Sequence, residues 1–170
     1  MRSFLFKASI ISILIILTAI VATLALDATG ALRPGDTLFA WQHFAEESHV
    51  HLIRTDLGKA KHYIAIAQRR TDDLRESAGT QNELISIYHL NQSLDQAALS
   101  VAKTNEEEIE KLDINLGLLL LRIRKSMSVL SIVPQEEPGI WEVFKAKIDS
   151  FQSLILNPDT ESGDFVSIVG

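Results

Sequence analysis

TNEEEIEKLDINLGLLLLRIRKSMSVLSIVP, Thr104 to Pro134, is the stretch whose reading decides the fold. Its apolar residues Ile109, Leu112, Leu116, Leu119, Ile123 and Leu130 recur at helical spacing, one face of an α-helix. A second row, Ile114, Leu118, Leu121, Val129 and Ile132, runs along another side. A surface helix carries one apolar stripe, so two stripes predict a helix covered on more than one side. At about 1.5 Å per residue such a helix is on the order of 40 Å long, enough to act as the spine of a small domain.

Working outward, Thr104-Asn105-Glu106-Glu107 has the capping-box pattern that opens a helix, and the acids that follow suit the positive end of its dipole. Pro134 closes the spine, and Pro138 opens a last helix whose stripe is Ile140, Val143, Phe144, Ile148, Phe151, Leu154 and Ile155. Upstream, Thr80 to Glu83 repeats the capping box ahead of a helix running to about Lys103, with Leu84, Ile87, Tyr88, Leu94, Ala98 and Val101 inward. Before it, a helix from about Asp56 to Ser77 buries Ala60, Tyr63, Ile64, Ala67 and Leu74, and Gly79 takes the C′ place. A first helix starts at Asp36 or Thr37, with Leu38, Trp41, Ala45, Leu52 and Ile53 on one side. Thr55-Asp56 is a plausible break between these two, though one unbroken helix also fits. Asp159 to Gly170 lacks helical periodicity and reads as a mobile tail, or as a strand over Phe165–Val169 if a partner pairs with it. The prediction is an all-α antiparallel bundle of four to five helices over 36–157, with a flexible tail over 158–170.

The first 26 residues are different material. Arg2 and Lys7 precede Ala8 to Leu26, 19 residues without a charge, the length that spans a bilayer. A cleavable signal has a shorter apolar core and a small-x-small site, and the best sites here, Thr23-Leu24-Ala25 and Thr29-Gly30-Ala31, are poor. Residues 1–26 are therefore a signal-anchor or a signal peptide, with length favouring the anchor; 27–35 is a linker broken by Gly30, Pro34 and Gly35. Basic residues ahead of the run place the rest outside the cytoplasm: a single-pass protein of the bacterial cytoplasmic membrane, or a secreted one if the signal is cut.

From Asp36 onward 13 Lys and Arg face 21 Asp and Glu, a formal charge of −8. An acidic domain repels nucleic acid and anionic lipid, so neither is expected as a ligand. There is no cysteine, which removes thiol nucleophiles and thiolate zinc sites.

The order of the pieces resembles a known family. Arg33-Pro34-Gly35-Asp36-Thr37-Leu38-Phe39 is similar to the "PGD-x-L-Y" start of the bacterial domain of unknown function DUF5667, and Glu46 falls where that family has an acid. Ala67-Gln68-Arg69-Arg70-Thr71-Asp72-Asp73-Leu74 resembles its "LAerRLaEl" stretch, and Ile132-Val133-Pro134 its closing segment. The likeness covers Leu32 to Leu156; Gln42 departs from the usual Lys, as does the His-bearing segment after it. The resemblance implies an exported, helical, non-enzymatic envelope domain, sometimes near anti-sigma or stress-response proteins, with no catalytic residues to carry over.

Histidine offers the one ligand-like constellation. His43, Glu47 and His51 recur every fourth residue, and imidazole with carboxylate suits Zn²⁺ or Cu²⁺. On one straight helix the outer two lie about 12 Å apart, so a single ion needs a bend or another chain; a solvated polar face is the plainer reading. Arg69, Arg70, Asp72 and Asp73 read as helix-stabilising pairs in preference to a recognition patch. His49 falls near the apolar side of the first helix and reads as packed or capping. Trp41 and Phe39 read as core, with interfacial anchoring as the alternative. No nucleophile elbow, phosphate-cradling glycines or calcium loop appears. The sequence thus points to a non-catalytic envelope interaction or structural module that binds another envelope protein through apolar helix faces. The alternative is a metal- or stress-sensing domain using His43, Glu47 and His51.

Overall fold

The computed structural model describes residues 11–22, 25, 38–130, 138–157 and 159–169. Among them every regular element is helical: α1 over 11–22, α2 (Phe39–Val50), α3 (Asp56–Ser77), α4 (Glu83–Val101), α5 (Glu106–Glu110), α6 (Asp113–Leu130), α7 (Pro138–Leu156) and a 3₁₀ helix (Ser162–Ile168). The chain is an all-α bundle.

The break expected near Thr55 is real. Thr55 lies in an extended conformation and its hydroxyl accepts from Gly58 N at 3.1 Å, starting α3 afresh. At the other end Gly79, with φ 73°, makes the left-handed turn that an L side chain resists. Between these caps α3 buries Ala60, Tyr63, Ile64, Ala67 and Leu74, as its periodicity predicts.

This helix, rather than the Thr104–Pro134 stretch, is the centre of the fold: it packs along α4 on one side and α6 on another, and meets α2. Polar links reinforce both long seams. Ser77 Oγ donates to Ser86 Oγ at 2.7 Å toward α4, while Ser126 Oγ donates to the Thr71 carbonyl at 2.8 Å and Gln68 to the Asn115 carbonyl at 3.0 Å toward α6. Lys147 on α7 bonds Asp95 on α4 at 2.7 Å.

The expected spine needs two corrections. It is not one helix: α5 ends at Glu110, and Leu112 N turns back to the Ile109 carbonyl at 2.7 Å before α6 begins. The tight turn places Leu112 wholly inside the core. Nor is it covered on two sides. The first row is buried from Leu112 to Leu130, whereas Ile114, Leu118 and Leu121 of the second row are 78%, 47% and 64% exposed. Both capping boxes also shift. Asn105, not Thr104, exchanges bonds with Glu108, and the Thr104 hydroxyl donates instead to the Val101 carbonyl at 2.7 Å, closing α4. Likewise Glu83 reaches Gly79 N, while Thr80 binds the Ser77 carbonyl.

The segment expected as a mobile tail is ordered into the 3₁₀ helix instead. Phe165 and Ile168, three apart and hence on one face of a 3₁₀ turn, are buried against α4 and α7. The Phe165 ring meets Phe151 edge-on at 6.0 Å, forming the floor of the bundle. The strand alternative is not realised there. Tyr88, Ile140 and Val143, expected inward, are exposed.

Of the uncharged run Ala8 to Leu26, the described part is α1 and residue 25; the remainder lies outside the described residues. Every described residue of the run is exposed. Among the described residues no helix is long and apolar enough to cross a membrane. The whole of the 27–35 linker and the 131–134 end of the expected spine likewise fall outside the described residues.

Candidate functional site

Helix α2 is built inside out. Its buried positions include Gln42 and Glu46, both fully enclosed, while Leu38, Trp41 and Phe44 stand in the open. The expectation of Trp41 as core is thus overturned: it is 60% exposed, on the side of α2 away from the bundle. Phe39 is buried as expected.

The cause lies on α3, whose sequence brings two arginines to the seam. Arg70 reaches across to Glu46 Oε2 with Nη2, and Nη1 donates to Asp73 Oδ2 at 2.8 Å. All three side chains are almost fully buried. Arg69 Nη2 adds a second cation 3.4 Å from Glu46 Oε1. The Arg70 guanidinium also lies 4.8 Å over the Phe39 ring. Removing ions from water costs several kcal/mol each, so the cluster holds only while every member keeps its partner. It therefore fixes which face of α2 turns inward.

Histidines flank this cluster. His43 Nδ1 stands 4.0 Å from Glu46 Oε2, and the His89 ring on α4 meets both Phe39 (4.8 Å) and His43 (5.6 Å) edge-on. Burial, then His43 and Arg70, push the His89 pKa down to about 4. Asp73 moves the other way: burial raises it to about 6 against the pull of Arg70, with Glu46 and Glu76 adding to the rise. Two groups with opposite displacements thus share one seam. The pairs inferred for Arg69 to Asp73 are only partly local, since Arg70 ties α3 to α2 and Asp72, besides its contact with Arg75 at 3.2 Å, pairs with Arg122 of α6.

The metal candidates are not gathered. His43 faces Glu46 and His89; Glu47 sits beside the Tyr63 hydroxyl, whose pKa is raised by burial and then by that carboxylate; His51 lies past the end of α2, exposed beside Asp56 and Lys59. His43 and Glu47 project from successive turns of α2 and His51 from the turn beyond it, each with different partners, and among the described residues no three His, Cys, Asp or Glu side chains come close enough to hold a metal ion. His49 is half-buried and stacks edge-on with His62 at 4.8 Å, and His62 in turn bonds the Glu46 carbonyl at 3.0 Å.

A separate open groove of about 750 Å³ lies between α4 and the start of α7, lined by Leu84, Ile87, Tyr88, Ile140 and Val143, with Asn91 as its polar member. Among the described residues that line it there is no nucleophile or acid–base pair. No protein-family model matches the chain, and no curated protein or solved structure matches it.

Proposed function

We propose that the chain is a non-catalytic helical module of the bacterial envelope, held at the cytoplasmic membrane by its N-terminal apolar run, and that it docks another envelope protein on α6. One observation carries this reading: Ile114, Leu118 and Leu121, spaced at four and three, form an exposed apolar stripe on a helix whose opposite face is already in the core. Gly117 lies alongside with nothing within 4 Å of a Cβ placed there, so a partner helix can approach closely. The buried ion cluster holds α2 and α3 together and supplies no reacting group. Membrane attachment is supported by the 19 uncharged residues from Ala8 to Leu26, behind Arg2 and Lys7, and by the exposure of every described residue in that run. The ordered resemblance to DUF5667 fits the same setting.

A photo-crosslinking residue at Leu118 of the full chain, activated in intact cells, tests the docking. A discrete adduct with one other envelope protein is expected, absent when the label sits at Glu142 on α7 and lost with Leu121→Glu. No adduct, an adduct of this chain with itself, or the same pattern from both positions would refute the reading.

A further inference from the structure

The outward side of α2 is as unusual as its inward side. Leu38, Ala40, Trp41, Phe44 and Ser48 carry no charge, whereas Glu46 and Glu47 of the same helix turn toward the bundle. Leu52, 65% exposed, extends this face, and Arg54 follows at its end, also exposed. The face cannot roll inward to escape water. Rolling would bring Glu46 out and separate it from Arg70, which would strand a buried cation.

We propose that this face of α2 seats on a lipid bilayer, at the boundary between headgroups and acyl chains. The proposal rests on the anchoring of residues 8–26. Three features select lipid as the occupant. Trp and Phe on an uncharged face, closed by an arginine, match the chemistry of that boundary, where the indole meets the headgroups and the guanidinium their phosphates. The apolar helix lies beside this face: Ile16 and Ile20 of α1 border one groove with Phe44 and Leu52. The tether is also short. Leu38 follows Leu26 by 12 residues, which reach about 40 Å even when fully extended, so an inserted run keeps α2 within that distance of the membrane. The acidic bundle is then carried with α2 between it and the membrane.

The test uses Trp41 as its reporter. The chain has two tryptophans, so the Trp141→Phe variant of the full chain leaves Trp41 alone; it is reconstituted in phosphatidylcholine vesicles with plain or brominated acyl chains. Trp41 emission should shift to the blue and fall in the brominated vesicles, while the Trp41→Phe variant, reporting Trp141, keeps its emission. Protein that floats with the vesicles but shows equal Trp41 emission in both lipids overturns the proposal and leaves the anchoring intact. Equal quenching of both tryptophans also overturns it. Protein that does not float removes the anchoring and the proposal together. Because the chain lacks cysteine, Phe44→Cys with a nitroxide label gives a second measurement with both tryptophans in place. Relaxation by oxygen should exceed relaxation by a water-soluble nickel complex; the reverse order counts against the lipid face.

Discussion

Asp73→Asn and His89→Phe are predicted to tilt the pH dependence of folding in opposite directions. Burial raises the Asp73 pKa from 3.8 to about 6, so the native state takes up this proton at a higher pH than the unfolded chain does. Its contribution to stability is least above about 6, grows as pH falls through 6 and is complete below 3.8. A displacement of roughly two in pKa corresponds to about 3 kcal/mol. His89 runs the other way. Its pKa falls from 6.5 to about 4, so its contribution is complete above 6.5 and is lost as pH drops toward 4. The ring is only half-buried, and solvent screening brings its share to roughly 1–2 kcal/mol. In the unaltered chain the His89 loss offsets only part of the Asp73 gain across one pH window. Urea denaturation of the full chain in mild detergent, followed by circular dichroism from about pH 7 to about pH 4, reads the difference from the parent at each pH. Asp73→Asn should lose stability against the parent on acidification, by up to about 3 kcal/mol, and His89→Phe should gain by roughly 1–2 kcal/mol. An Asp73→Asn curve parallel to the parent would mean that Arg70 keeps the carboxylate ionised despite burial, and the reasoning would fail. Tilts of the same sign in both variants would refute it as well.

Two glycines should respond with opposite signs. Gly117→Ala, in an exposed helix interior with no atom within 4 Å, should stabilise by about 0.5–1 kcal/mol through lost unfolded-state freedom. Gly58→Ala would place its Cβ 2.6 Å from Ile53 Cγ2 and 2.8 Å from Thr55 Oγ1, disturbing the cap of α3 and costing on the order of 1 kcal/mol. Thermal denaturation that moved both the same way would contradict the packing at Gly58. Leu119→Ala, in the fully buried row of α6, should cost about 2–5 kcal/mol, whereas Leu121→Ala, two residues on but exposed, should stay within about 0.5 kcal/mol. Equal losses in denaturant titrations would show that the stripe is covered within the chain itself.

Much of the fold was legible because caps and periodicity are local. The Asp56–Ser77 boundaries, the Gly79 turn, the inward rows of α3 and the first row of α6 all follow from residues within a few positions of one another. What escaped depends on partners distant in sequence. Periodicity says that Ile114, Leu118 and Leu121 share a face but not whether anything covers it. The same gap misplaced Trp41. Hydrophobicity assigns it to the inside, and only Arg70, 24 residues beyond Glu46, supplies the charge that pulls the polar face of α2 inward. The ion cluster was visible as Arg69-Arg70 and Asp72-Asp73, yet their spacing suggested local pairs because Glu46 lies on another helix. His43, Glu47 and His51 were found as a pattern, but their differing partners come from α3 and α4 and have no trace in that spacing. The closing segment lacked a period of 3.6 because a 3₁₀ turn repeats every three residues, the separation of Phe165 from Ile168.

The floor made by Phe165 has a temporal meaning. Polypeptides are synthesised from the amino end, and 64 residues separate Val101, where α4 ends, from the phenylalanine that seals its base. At 5–20 residues per second, α3 and α4 wait roughly 3–13 seconds as a half-shut hairpin before that plug exists. During that interval the greasy underside of α4 is accessible to chaperones, to the export machinery or to another nascent copy, and it is withdrawn from all of them once the ring of Phe165 arrives.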